Sequence, residues 1–122
     1  DKSNVIILTN LANAKRDKGD LVGARAAYDQ VIAQKPEWAE GWNNRGISRQ
    51  AQGDLEGALA DYTRAIELSP QFARAYLNRS VAWKALGKPQ EAARDLARAR
   101  ETTKEPEWLL EPMLTEFKLS CN

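Results

Sequence analysis

An all-α fold, a stack of helical hairpins repeating every 34 residues, follows from three features of this 122-residue sequence. Gly19, Gly53 and Gly87 recur at that spacing and separate apolar-periodic segments. Between them run helix-favouring Ala, Leu, Arg, Glu and Gln, while Val, Ile and Thr never alternate over a strand's length. Pro36 and Pro70, each followed two residues later by an aromatic, Trp38 and Phe72, close the first two units.

Each element can be justified in turn. The first helix of a unit carries a bulky residue, Leu8, Trp42 or Tyr76. Four residues on comes a small one, Ala12, Gly46 or Ser80, which lets two helices approach closely. The glycine then turns the chain, since it enters the left-handed region at no steric cost. In the second helix Ala24, Ala58 and Ala92 precede Tyr28, Tyr62 and Leu96, with Val31, Ala65 and Ala99 after them. Small and large residues at these intervals put one packing stripe on that helix. Arg45 and Arg79 share their units with Asp61 and Asp95, whereas the first unit has Leu11 and Ala27 there, so a pair tying the two helices of a unit is expected.

The units lie at 5–38, 39–72 and 73–106. The third departs from the pattern, because Pro106, with Trp108, arrives two residues late. Beyond it, Leu110, Met113, Leu114 and Phe117 fall on one helical face, giving an expected seventh helix at about 109–119. Such a helix would cap the exposed end of the stack, or would dock on a partner or a second copy.

Composition narrows the function. Eighteen basic residues face 17 acidic ones, a net charge of +1, which removes the electrostatic reason for a nucleic-acid or anionic-membrane partner. No apolar run approaches the roughly 18 residues that cross a bilayer. Without histidine there is no Ser-His or Cys-His pair, and the single Cys121 makes no internal disulfide or cysteine-rich zinc site. No glycine-rich loop follows a strand to cradle phosphate. An enzyme is not expected, nor a cofactor, metal or small-molecule substrate. The chain starts Asp1-Lys2-Ser3-Asn4, with neither an initiator Met nor a signal-peptide apolar stretch, so the start reads as a cloning or processing boundary and a targeting segment is not visible. A soluble intracellular protein is expected, with the compartment open.

The aromatic or leucine, small residue, Gly, Ala, aromatic, Ala and Pro at fixed intervals resemble the tetratricopeptide repeat, from Val5 to Pro106. The resemblance implies a right-handed superhelix whose inner groove, lined by the first helix of each unit, binds a peptide segment or helix of another protein. Carried over, its groove places fall on Ile6, Thr9, Asn10, Asn13, Arg16 and Asp17 in the first unit. In the second they fall on Glu40, Asn43, Asn44, Ile47, Gln50 and Ala51, and in the third on Arg74, Leu77, Asn78, Val81, Lys84 and Ala85. Asn10, Asn44 and Asn78 stand 34 apart. An amide donates and accepts, so the row could hold a peptide backbone, or could serve as hydrogen bonding between helices. Ile6, Ile47, Leu77 and Val81 are candidate apolar anchors for the partner.

The resemblance also brings in the co-chaperone branch that clamps the C-terminal carboxylate of heat-shock chaperones. Asn13, Asn44 and Arg74 fit that clamp, but Thr9 and Asn78 stand where it uses Lys and Arg. Two other readings have their own residues. Trp108, Leu110, Leu114 and Phe117 are a second interface candidate, consistent with a monomer or weak homodimer. Arg94, Arg98, Arg100 and Lys104 make a basic edge that could bind RNA or an acidic protein, but Glu91, Asp95 and Glu101 interleave with it, as on a solvated face. Trp42 and Trp83 are expected in the core. Trp38 and Trp108, at unit corners, could staple neighbouring units or anchor a partner.

Overall fold

The computed structural model describes residues 2–102. Within them lie six helices: α1 (Lys2–Asp17), α2 (Leu21–Gln34), α3 (Ala39–Ala51), α4 (Leu55–Leu68), α5 (Ala73–Ala85) and α6 (Pro89–Thr102). They pair as antiparallel hairpins, α1 with α2, α3 with α4 and α5 with α6, and each hairpin packs on the next through α2 on α3 and α4 on α5. The expected helix at 109–119, the late Pro106 and the candidates Trp108, Leu110, Leu114 and Phe117 lie outside the described residues, as does Lys104.

The hairpin turns follow from local chemistry. Gly19, Gly53 and Gly87 have φ of +87°, +88° and +77°, a region that L side chains avoid. One residue later Asp20 and Asp54 cap the next helix, their carboxylates accepting from the N–H of Gly23 at 3.0 Å and Gly57 at 2.9 Å. The third unit has Lys88 there, and Pro89 opens α6, a position where the missing N–H costs nothing.

The second-helix stripe is the core. Ala24, Tyr28 and Val31 in α2, Ala58, Tyr62 and Ala65 in α4, and Ala92, Leu96 and Ala99 in α6 are all buried. Gly46 is where α3 meets this stripe: a Cβ there would sit 2.6 Å from the Tyr62 ring. Trp42 and Trp83 are half-buried rather than core. The Trp42 indole N–H needs a partner, and it finds the carbonyl of Pro36 at 2.8 Å. One unit on, the Tyr76 hydroxyl donates to the carbonyl of Pro70 at 3.1 Å. The inter-unit turn is thus tied to the helix that follows it.

The arginine–aspartate pairs form, and they reach further than one unit. Arg45 donates to both oxygens of Asp61, at 3.0 and 2.8 Å, and also to Asp29 of the preceding unit at 2.9 Å. Arg79 holds Asp95 at 2.6 and 2.7 Å and reaches Thr63 of the preceding unit at 3.2 Å. Burying Asp61 and Asp95 is tolerated because each is held by a two-pronged, charge-assisted bond. The guanidinium of Arg45 lies 5.1 Å from the Trp42 ring centre, adding a cation–π contact.

Candidate functional site

α3 and α5 touch directly, so the first helices of successive units are neighbours on one face of the stack. The inner-face residues divide by depth. Thr9, Asn43 and Leu77, at matching positions in the three units, are buried, with 8%, 4% and 9% of their surface exposed. Their partners differ, and only Asn43 bonds to another unit. The Thr9 hydroxyl donates back to the Val5 carbonyl at 2.8 Å, and Leu77 packs with Tyr76, Leu96 and Ala99. Leu77 is therefore core rather than an apolar anchor open to a partner. Ile47 is half-buried against Ala58, Tyr62 and Ala82, whereas Val81 and Ile6 are exposed.

The asparagines are not equivalent. Asn10 is exposed and Asn44 half-buried. Asn78 donates from its Nδ2 to the Oδ1 of the buried Asn43 at 3.0 Å, joining the second and third units. Its own oxygen is left to accept from a ligand, and its second N–H to donate to one. A second set of amides is oriented from behind. The Tyr28 hydroxyl donates to Oδ1 of Asn13, and the Tyr62 hydroxyl donates to Oε1 of Gln50 at 2.7 Å. Each tyrosine belongs to the core stripe of a second helix and reaches through the hairpin to fix an inner-face amide with its oxygen turned inward. The amide's N–H groups then become the free end. Sequence spacing identified the tyrosines as packing residues; their hydroxyls were the missed signal, absent in the third unit, where Leu96 stands.

Burial holds the Tyr62 hydroxyl well above its ordinary value near 10, with the charge of Asp61 adding to the effect and Arg16 opposing it. Burial also raises Tyr28, with Arg16 opposing and Asp17 adding. Both phenols are thus neutral donors across ordinary pH. Arg74 is exposed and Lys84 half-buried, each with a partner. On the outer face, Arg94 meets Glu91 at 3.6 Å and Arg98 meets Glu101 at 3.1 Å, so this basic edge is largely self-neutralised. No group of three or more metal-ligating side chains occurs among the described residues, and none of the described helices is long and apolar enough to cross a membrane.

Family models for the tetratricopeptide repeat match residues 39–72 and 9–49, spanning the first turn, the second unit and the seam between them. The chain belongs to the tetratricopeptide repeat family. It is a right-handed superhelical stack of such repeats. No curated protein matches it. Among solved structures, it resembles the TPR2B-domain:pHsp70 complex of yeast Sti1, with a TM-score of 0.88 and 25% identity over 97% of this chain and 95% of that one. The first TPR of Spaghetti (RPAP3), bound to the HSP90 peptide SRMEEVD, gives 0.87 and 21% over 99% and 95%. The Yersinia enterocolitica type III secretion chaperone SycD, in complex with a peptide of the translocator YopD, gives 0.85 and 18% over 97% and 89%.

Proposed function

We propose that this repeat domain is a protein-interaction adaptor, holding a segment of a partner protein against the face built by α1, α3 and α5. The observation that carries the reading is the row of amides on that face. Asn10 and Asn44 are accessible, Asn78 is held with its oxygen free, and Asn13 and Gln50 are held by tyrosines with their N–H groups free. Donors and acceptors fixed in this way complement the peptide group, and a rigid surface loses little entropy when it binds. The solved relatives above, each with a peptide, support the same use of the fold.

Charge on this face is mixed, with Arg16, Arg74 and Lys84 against Asp17 and Glu40, so a segment of mixed polar and apolar character fits best. The terminal-carboxylate clamp is the second reading, favoured by Asn13, Asn44 and Arg74. Against it, the first cation is replaced by Thr9, which is buried and bonded to its own helix, and the last by Asn78, which is tied to Asn43.

The test is retention of partner proteins by the wild type and by an Asn10→Ala/Asn44→Ala variant of unchanged melting temperature. A protein kept by the first and lost by the second supports the groove. Equal retention by both overturns it. The two readings separate on the peptide SRMEEVD: amidating its C-terminus abolishes binding if the clamp operates and leaves it unchanged otherwise.

A further inference from the structure

At one end of the second unit, the turn leading into α3 and the C-terminal end of α4 line a recess of about 340 Å³, at the lower end of ligand-pocket sizes. Its walls are Trp38, Leu68 and Phe72, all half-buried, and its rim carries the exposed Glu37 and Glu40. The frame is rigid. Trp38 and Phe72 are the residues from which α3 and α5 start, their N–H groups bonded to the carbonyls of Lys35 at 3.2 Å and Ser69 at 3.0 Å. The turn bearing Glu37 is further pinned by the Trp42 bond to Pro36.

The side-chain charges have one sign. No basic residue lines the recess, and neither Glu37 nor Glu40 makes an ion pair among the described residues. Leu68 and Ser69 bring the carbonyl end of α4 to the same place, which favours positive charge, while the N-terminus of α3 at Ala39 opposes it, so the two full carboxylate charges decide the sign. Aromatic faces attract a cation, a long aliphatic stem covers apolar wall, and two carboxylates meet the charged head. The next unit lacks this chemistry: there Glu37 becomes Gln71 and Glu40 becomes Arg74. Glu40 also belongs to the inner face, so the recess continues the surface assigned to the partner.

We propose that this recess takes a lysine or arginine side chain of the partner segment, a proposal that rests on the groove reading above. It thereby sets the register of the segment, with one basic residue held at the end of the second unit where α3 begins and α4 ends.

A random-sequence peptide display library, selected on the folded full chain, tests this. Binders should share one lysine or arginine at a fixed position, and replacing it with methionine should weaken binding by about tenfold. In a Glu37→Gln/Glu40→Gln variant, altered only at exposed positions, that replacement should have little effect and selection should no longer fix a basic residue. Binders without a fixed basic residue, or an equal loss in wild type and the Glu37/Glu40 variant, would overturn the recess while leaving the groove standing. A library yielding no binders at all overturns both.

Discussion

At the scale of single residues, this protein is limited by how closely its helices approach. Gly46 shows it most directly. Its missing side chain lets the Tyr62 ring lie against the α3 backbone, and a methyl group there would fall within 2.6 Å of that ring. Gly46→Ala should therefore destabilise the protein by about 1–3 kcal/mol, read as a lower denaturant midpoint with an unchanged slope, even though alanine is the better helix former. Tyr62 carries a second prediction. Its folded pKa lies above the value near 10 that it takes when unfolded. Above pH 10 the unfolded chain gives up that proton while the folded chain keeps it, so the folded state binds more protons and stability falls as pH rises. Below pH 10 the contribution is fully present. Urea midpoints should decline above pH 10, and the decline should be shallower in Tyr62→Phe.

At the scale of the element, corresponding helices differ because of what precedes them. α3 and α5 each receive the second helix of the unit before, and there Ser48 and Ala82 are fully buried. In α1 the corresponding Ala14 is exposed, and Ile7 and Leu11 beside it are 64% and 47% exposed. The same substitution should thus have very unequal consequences at two matched positions. Ala14→Arg should change stability by less than about 0.5 kcal/mol, as at an ordinary surface site. Ala82→Arg should cost several kcal/mol, on the order of burying an unpaired charge and overpacking a tight seam together. Thermal melts of the two variants decide it; equal costs would mean that α1 is covered in solution.

The whole molecule is a chain of neighbours. Each hairpin touches the next, and inter-unit bonds such as Arg45 to Asp29, Arg79 to Thr63 and Asn78 to Asn43 join adjacent units. Stability in such an array is close to a sum of unit and interface contributions. Among the described helices, only α3 and α4 belong to a unit flanked by hairpins on both sides. Native-state hydrogen exchange should therefore find the slowest amides in α3 and α4, with α1 exchanging faster. Protection spread evenly from α1 to α6 would instead indicate a single cooperative unit.

Much of this was legible in the amino-acid sequence, because a repeat states the same constraint several times. The turn glycines, the Tyr28–Tyr62–Leu96 stripe and the Arg–Asp pairs recur at one interval, and each recurrence is explained by one local need: a left-handed turn, a buried stripe, a neutralised buried charge. The depth of the inner-face residues was not legible. Thr9, Asn43 and Leu77 share a position but have no chemistry in common, and only the packing around them in the folded chain buried all three. Nor does spacing reveal that Asn78 spends its donor on Asn43 while Asn10 stays open, or that the tyrosine hydroxyls reach through to Asn13 and Gln50. The recess between Trp38 and Phe72 joins the two ends of one hairpin, a proximity that arises only once α3 and α4 pack antiparallel. The repeat, its turns and its core depend on contacts within 34 residues and so are written in the chain; which inner-face groups remain for a partner depends on tertiary packing, because burial and hydrogen bonding across units follow from where the next hairpin lies.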